Sequence, residues 1–323
     1  MKRKITLGVG LNLFDARAVL LEDKSKIVAT FERKRKDITA NETIKAVVEL
    51  CEGILNKTKR IKKNICGIGV AVGGIVDNKK GMVYWPQRID SSCVYISIPL
   101  RRYLEEKFEI PVVIENDANA CLWAEYVHHF SNKYKNIIYL FSGVGCGLLI
   151  DGFLYRGKKG GAGEIFINNK KVMSSYLGDF SFLGQWPLDL GIVKRAKEFI
   201  SKGEMTSLIK KITSTGELKL EDIFSEAHNR KDKLSREILK EAAFSLGVKL
   251  SFLINFLNPE IAIIGGGFEE AGEFFLEEVN KTVKKFSFSE MRENLKIIFS
   301  KMGRGAASLG AALIVSQENP LHT

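Results

Sequence analysis

The chain has 323 residues, of which 45% are hydrophobic and only six are proline, and its formal net charge is +11. This length and composition allow two lobes with sizeable cores and exclude an intrinsically disordered chain. Apolar runs of about 20 residues, the length needed to span a membrane, do not occur.

The start of the chain, MKRKITLGVGLNLFDA, joins a basic head to a short apolar stretch. Asn12 and Asp15 interrupt that stretch and no small-residue cleavage site follows, so the pattern favours a strand over a secretion signal. The five cysteines are scattered and lack CxxC spacing, which is typical of a reducing compartment. We therefore expect a cytoplasmic protein.

Lysine and arginine are spread through the sequence, with denser patches at residues 2–4, 33–36 and 57–63. Such patches indicate a solvated, lysine-rich surface, and the alternative is a face that binds nucleic acid or another polyanion. A helix-turn-helix pattern does not accompany them, because the chain enters a strand pattern almost at once. We expect neither a membrane partner nor a direct nucleic-acid module.

The first third of the chain is predicted to begin with a strand meander. Short apolar runs at residues 5–11, 18–22 and 27–31, separated by polar turns, indicate three strands. Helical spacing of apolar residues predicts helices at 43–57 and 100–108. The run CGIGVAVGGIVD between those helices indicates a buried strand that ends in glycines.

The rest of the chain continues this alternation without a fixed-period repeat. Two apolar runs flank SGVGCG, and Asp151-Gly152 after the second run predicts a hairpin turn. A long apolar helix stops at Asn258-Pro259, a strand and three glycines follow, and a last apolar helix covers 310–315. This order predicts two α/β lobes, each a mixed sheet with helices.

A polar cluster interrupts the apolar pattern in PVVIENDANACLWAEY. The strand-like run ends at Glu115, Asn116 and Asp117, and a helix-like run follows at once. One interpretation is that Asp117 caps the helix, since aspartate at a strand–helix junction suits that role. The other is that this carboxylate is placed for chemistry.

Two glycine-rich stretches, residues 142–147 and 265–267, are candidates for holding phosphate oxygens, because glycine lets backbone N–H groups point at an anion. The dinucleotide fingerprint fails, since Leu148 and Ile150 occupy the third-glycine positions, and the GxxxxGK[ST] pattern is missing. The first stretch lies between two strands, so it is either a phosphate cradle or a plain tight hairpin.

Together these segments resemble the ROK family, a group of bacterial sugar kinases and sugar-responsive repressors, over nearly the whole chain. The segments that carry the resemblance are PVVIENDANACLWAEY, SGVGCGLLIDGFLYRGKKGGAGEI, LNPEIAIIGGGFEEAG and GAASLGAAL. It implies a two-lobed α/β fold of the actin-like ATPase (ribonuclease H-like) type with a cleft between the lobes. We expect residues 1–117 plus 302–323 to form the N-terminal lobe and residues 118–301 the C-terminal lobe.

The resemblance also implies a monosaccharide ligand and roles for individual residues. Asp117 would be the base that accepts the proton of a sugar hydroxyl, and Asn116 and Glu164 would hydrogen-bond other hydroxyls. Gly74 and Gln87 complete the expected sugar site. For the nucleotide, the resemblance implies the set Ser142, Gly143, Gly145, Gly265, Gly266 and Gly267.

The first departure from the family pattern is the turn after the first strand. Kinase members carry Asp-x-Gly-Gly-Thr there, whereas this chain has Gly10 at the aspartate position and Asn12, Leu13 and Phe14 at the glycines and threonine. The carboxylate that organises Mg²⁺ is therefore missing, and Asp15 is displaced along the chain. ATP and Mg²⁺ binding is expected to be weak at most.

Two further departures concern zinc and the sugar. Zinc-bearing members follow the glutamate with Gly-His and a cysteine-rich knuckle, where this chain has Phe166 and Ile167, so we expect no zinc. Gln87 stands where many members have a sugar-binding asparagine, and neighbouring Trp85 either stacks on the sugar or belongs to the core.

These observations predict a carbohydrate-binding protein with impaired or absent kinase activity, acting as a sugar sensor and assembling as a homo-oligomer. One alternative is an ATP-dependent hexose kinase with Asp117 as general base. A second is a transcriptional repressor that acts through a partner.

Overall fold

The computed structural model describes residues 4–11, 15–34, 39–89, 92–131, 133–142, 145–165, 189–229 and 232–318. The strands are β1 (Ile5–Leu11), β2 (Asp15–Glu22), β3 (Lys26–Lys34), β4 (Ile65–Val72), β5 (Ile75–Asp77), β6 (Met82–Ile89), β7 (Ser92–Ile98), β8 (Val112–Asn116), β9 (Ile137–Phe141), β10 (Gly145–Ile150), β11 (Phe153–Leu154), β12 (Ile261–Gly265) and β13 (Lys296–Phe299). The helices are α1 (Ala40–Lys57), α2 (Leu100–Phe108), α3 (Asp117–Glu125), α4 (Ile192–Ser201), α5 (Leu208–Thr215), α6 (Leu220–Asn229), α7 (Lys233–Leu257), α8 (Glu273–Phe286) and α9 (Ala306–Glu318).

The chain forms two compact units. The first comprises Met1–Phe141, Gly145–Glu164 and Ser300–Thr323, and the second comprises Ser142–Val144 and Ile165–Phe299. The division differs from the boundary expected at residue 117, because α3 packs against α9 and thereby joins the first unit. Among the helices that the structure describes, none is long and apolar enough to cross a membrane.

A five-stranded sheet with strand order β3-β2-β1-β4-β8 forms the centre of the first unit. The meander β1–β2–β3 is antiparallel, as the three apolar runs predict, and β4 and β8 extend it in parallel pairing. All seven residues of β1 are buried, which explains its continuous apolar pattern. Parallel β4 and β8 place the end of β8 beside Val72, where the glycines that follow β4 begin.

Two smaller antiparallel groups of strands complete the first unit. The hairpin of β9, β10 and β11 includes the predicted turn, in which Asp151 (φ 52°) and Gly152 (φ 84°) both adopt left-handed backbone conformations. The second group, β5-β6-β7, was not predicted from the apolar pattern. It carries Trp85 and Gln87 on β6.

Helix α9 is buried on all sides from Ala306 to Val315, so its apolar residues show no one-sided periodicity. It packs against β1, β4 and α3 at backbone distance. A Cβ added to Gly310 would lie 1.7 Å from the carbonyl oxygen of Ala120, and one added to Gly10 would lie 2.4 Å from the backbone nitrogen of Ser308. Glycine is required at both positions because the two backbones touch there.

The second unit combines five helices of the described ranges, α4 to α8, with the parallel pair β12 and β13. The long helix α7 begins at Asp232, whose side chain accepts a hydrogen bond from the Ser235 N–H, and ends at Asn258 in a left-handed conformation (φ 45°). The predicted stop at Asn258-Pro259 is therefore confirmed. Helices α4, α5 and α6 were not predicted.

The contact between α9 and α3 predicts a stability loss for Gly310→Ala. The change gains about 1 kcal/mol of helix propensity, but overpacking costs about 1–3 kcal/mol, and here the clash is with a backbone atom. We expect a lower urea midpoint than that of the wild type. Gly305→Ala is the matched control, since no atom lies within 4 Å of its added Cβ. Equal midpoints for the two variants would contradict the packing described above.

Candidate functional site

Asn116 connects β8 to α3 and caps the helix. Its backbone is extended (φ −66°, ψ 142°), and its Oδ1 accepts hydrogen bonds from the N–H groups of Ala118 (2.9 Å) and Asn119 (3.3 Å). The capping residue is thus Asn116, whereas the sequence suggested Asp117. Asp117 does not occupy the capping position and is instead the first residue of the helix.

The two carboxylate oxygens of Asp117 have different neighbours: Oδ1 contacts the first turn of α3, and Oδ2 lies near Gly73. Oδ1 accepts a hydrogen bond from the Ala118 N–H (2.8 Å). A Cβ added to Gly73 would lie 3.3 Å from Oδ2, so a side chain at residue 73 would crowd this oxygen. The first turn of a helix also favours negative charge.

Gly74 lies against the same junction. Its carbonyl oxygen accepts a hydrogen bond from Nδ2 of Asn116 (3.2 Å), and its φ of 88° is in the left-handed region that favours glycine. The Asn116 side chain is therefore engaged through both Oδ1 and Nδ2. An amide nitrogen carries two hydrogens, and the contact with Gly74 uses one of them.

Glu164 is brought to this junction by the segment that precedes it. It forms an isolated antiparallel bridge with Gly145, and the Gly163 carbonyl accepts a hydrogen bond from the Cys146 N–H (3.1 Å). Burial and, second, the negative charge of Asp117 raise the pKa of Glu164 to about 7. The two carboxylates, 47 residues apart in sequence, therefore interact within one unit.

Glu115 has a role that sequence reasoning did not assign. It is buried, and its Oε1 accepts hydrogen bonds from the Asn116 N–H (2.9 Å) and from Nδ2 of Asn119 (3.1 Å). Its Oε2 accepts from Nε of Arg156 at 2.6 Å. The ion pair neutralises Glu115 and ties the segment that leads to Glu164 to the end of β8. Arg156 stands inside the quoted run LYRGKKGGAGEI, but its spacing alone does not reveal this partner.

The two β6 candidates are placed differently. Gln87 lies on β6 opposite Val94 of β7, and its side chain falls outside the described residues. Trp85 is half-buried and packs against the hydrophobic core of the first unit, and its ring lies 4.0 Å from the position of a Cβ on Gly73. Both interpretations of Trp85, as core residue and as sugar platform, stay open.

Most of the predicted nucleotide residues meet in the second unit. Ser142 donates from its N–H to the Gly265 carbonyl (3.1 Å) and from its hydroxyl to the Gly266 carbonyl (3.1 Å). Ser142 has a left-handed backbone (φ 51°), as do Gly266 (75°) and Gly267 (118°). Such backbone turns present N–H groups to anions. Gly145 begins β10 in the first unit, and Gly143 lies outside the described residues.

The region of the first departure is partly described. Asn12, Leu13 and Phe14 lie outside the described residues, as do Phe166 and Ile167. Asp15, at the start of β2, is buried and accepts hydrogen bonds from Nε of Arg17 (3.0 Å) and from Nη1 of Arg304 (3.4 Å). Its carboxylate is held by two guanidinium groups.

A metal site needs several His, Cys, Asp or Glu side chains close together. Within the described residues, no group of three or more His, Cys, Asp or Glu side chains could hold a metal ion. His128 and His129 are both exposed on the short helical segment that follows α3, with ring centroids 6.4 Å apart.

The fold and this site define an α/β protein of the actin-like ATPase type, with a carboxylate pair at a strand–helix junction of the first unit. The family model for the ROK family matches residues 6–318, so the chain belongs to the ROK family.

Relatives within the family include both kinases and repressors. A xylose repressor of Caldicellulosiruptor bescii is 29% identical over 84% of this chain and 68% of that protein. A glucokinase of Streptomyces coelicolor is 25% identical over 98% of this chain and 99% of that protein.

A solved structure supports the same assignment. The ROK family glucokinase of Streptomyces griseus, in complex with glucose and AMPPNP, is 25% identical with a TM-score of 0.79. The match covers 97% of this chain and 99% of that chain.

The raised pKa of Glu164 predicts a stability that falls as pH rises. Between the ordinary value of 4.5 and about 7, the folded chain keeps a proton that the unfolded chain has lost. The free energy of unfolding should therefore decrease across this range by on the order of 3 kcal/mol, and Glu164→Gln should remove that decrease.

Urea unfolding of wild type and variant at several pH values between 4.5 and 8 measures the difference. Exposed Glu204→Gln is the control and should follow the wild type. Parallel curves for wild type and Glu164→Gln would show that Glu164 is not buried beside a second carboxylate.

Proposed function

We propose that this chain binds a monosaccharide through Asn116, Asp117 and Glu164 and is a sugar sensor whose kinase activity is impaired or absent. The observation that carries the proposal is the interaction of the Glu164 and Asp117 carboxylates. Burial and, second, the charge of Asp117 raise the pKa of Glu164. Two neighbouring carboxylates at a partly buried site are costly without donors. The hydroxyls of a sugar supply such donors.

Each residue of the proposed sugar site has its own hydrogen-bonding role. Asp117, whose Oδ2 lies beside Gly73, would accept a hydrogen bond from one sugar hydroxyl. Ionised Glu164 would accept from one or two further hydroxyls, and Asn116 would donate its remaining Nδ2 hydrogen. The hydrogen bond from Nδ2 of Asn116 to the Gly74 carbonyl orients the side-chain amide of Asn116. Gln87 is proposed as a further sugar contact.

Impaired phosphoryl transfer is proposed because of two residues, one near the end of β1 and one at the start of β2. The transferring phosphoryl group needs a metal and preorganised donors to stabilise its dispersed charge. Gly10 carries no side chain, and α9 leaves no room for one. Asp15 is engaged by Arg17 and Arg304. A carboxylate restored at residue 10 would require α9 to move.

If nucleotide binds, the residues that would hold it are in the second unit. The left-handed backbone at Ser142, Gly266 and Gly267 suits phosphate oxygens, and ATP supplies the phosphoryl group when it is bound. The alternative function, an ATP-dependent hexose kinase, would use Asp117 at the start of α3 as its general base. Mg²⁺ would then need ligands from residues other than Gly10.

A repressor acting through a partner is the other alternative, and the similarity to xylose repressors supports it. Such a protein would contact DNA only in a complex. A cytoplasmic location and a homo-oligomeric state belong to the same proposal.

Sugar binding predicts a loss for Glu164→Gln. Hydrogen bonds to charged acceptors contribute about 1.5–3 kcal/mol, so the Kd of the sugar should rise roughly tenfold or more. Calorimetric titration with glucose and with xylose measures the change, and Glu204→Gln should bind like the wild type. A Kd unchanged in Glu164→Gln would remove Glu164 from the sugar site.

A sugar sensor and a sugar kinase should differ in the rate at which they phosphorylate a hexose. Losing the first phosphate turn should lower phosphorylation about 10³-fold or more below the roughly 1–100 s⁻¹ that is typical of kinases. A coupled assay with MgATP and a panel of hexoses measures it, with Asp117→Asn as the background. Turnover at tens per second, abolished in Asp117→Asn, would establish the kinase instead.

A further inference from the structure

A basic cleft lies in the first unit, and Arg156, the partner of Glu115, is one of its lining residues. It has a volume of about 700 Å³. Its lining comes from the turn after β5, the start of α2 and the segment after β11: Asp77, Asn78, Lys79, Arg101, Leu154, Tyr155, Arg156, Gly157 and Lys158. None of the roles proposed above uses this cleft.

The positive charge of the cleft is only partly neutralised. Arg101 donates to the backbone carbonyls of Asn78 and Lys79, not to a carboxylate, and its Nε is buried without a hydrogen-bond partner among the described residues. Lys79 and Lys158 are exposed and form no ion pair within the described ranges.

The cleft contains one carboxylate, that of Asp77. This side chain is buried, and its Oδ1 accepts a hydrogen bond from the Lys80 N–H (3.1 Å). Set against four cations, of which Arg156 is already paired with Glu115, the cleft carries an excess of positive charge. An anion is the ligand class that such a cleft attracts.

The wall after β11 adds an apolar surface. The Tyr155 side chain is 51% exposed and stands between Leu154 and Arg156. An aromatic face next to cationic side chains suits a ligand with a ring on one side and a phosphate on the other. We propose that this cleft binds a sugar phosphate, with the phosphate at Lys79, Arg101 and Lys158 and the sugar against Tyr155.

Arg156 connects this cleft to the carboxylate pair. It lines the cleft and donates a hydrogen bond to Glu115, and Glu115 in turn accepts one from the backbone N–H of Asn116. Its carbonyl accepts a hydrogen bond from the Ala162 N–H (3.2 Å), two residues before Glu164. A phosphate at Lys79, Arg101 and Lys158 would bring negative charge into the cleft that Arg156 also lines. That charge should weaken the pair of Arg156 and Glu115, so a sugar phosphate should weaken sugar binding. The reverse effect is equal by linkage.

Calorimetric titration of the full chain with glucose 6-phosphate, glucose and inorganic phosphate tests the proposal. The double variant Lys79→Gln/Lys158→Gln should raise the Kd of glucose 6-phosphate tenfold or more and leave that of glucose unchanged. The control, Lys202→Gln/Lys210→Gln, removes two exposed lysines of the second unit and should change neither. Added salt should weaken glucose 6-phosphate binding in the wild type.

Three results would overturn the proposal. One is that glucose 6-phosphate does not bind. A second is that its binding is lost in Glu164→Gln but retained in the lysine double variant, which would place it in the carboxylate site. A third is that inorganic phosphate binds as tightly as glucose 6-phosphate, which would show that the cleft recognises the anion alone. Unchanged glucose affinity in the lysine variant, with glucose 6-phosphate binding lost, supports the proposal and shows that the variant is folded.

Discussion

The backbone contact between α9 and α3 is the constraint on which the site depends. At Gly310 and Ala120 the two helices approach so closely that a single added carbon would overlap a carbonyl oxygen. The far end of α3 is fixed as well, because Glu125 accepts hydrogen bonds from the Ser300 hydroxyl (2.7 Å) and the Lys301 N–H (2.6 Å). These two contacts restrict the position of α3, and Asp117 is the first residue of that helix.

Electrostatics at this junction follow from the position of three carboxylates. Glu115 is paired with Arg156 and accepts a hydrogen bond from the backbone of the junction. Glu164 is instead affected by burial and by the charge of Asp117, which raise its pKa. Two carboxylates placed in this way favour a ligand that donates hydrogen bonds. A sugar is such a ligand, and its binding would relieve the repulsion by giving each carboxylate a hydroxyl partner.

The sequence was sufficient for the family, for the fold class and for most regular elements of the first unit. Their apolar periods and glycine turns are local signals, and the ends of α2 and α7 and the turn at Asp151 follow from them. It was not sufficient for the capping of α3 by Asn116 or for the pair of Glu115 and Arg156, because these depend on which of several polar neighbours points inward. Helices α4 to α6, of eight to ten residues each, were missed although each has one apolar face. The predicted lobe boundary at residue 117 differs from the observed units because the packing of α3 on α9 joins segments distant in sequence.

The central claim is that Glu164 is held near Asp117 to receive sugar hydroxyls. Its most direct measurement is a pH titration of the Glu164 carboxyl carbon by NMR, assigned with Glu164→Gln, in the absence and presence of saturating glucose or xylose. The account predicts a pKa of about 7 for the free protein. A bound sugar should lower this pKa, because hydroxyls that donate to the carboxylate stabilise its charged form. A pKa near the ordinary value of 4.5 in the free protein, or one that does not change when sugar binds, would contradict the account.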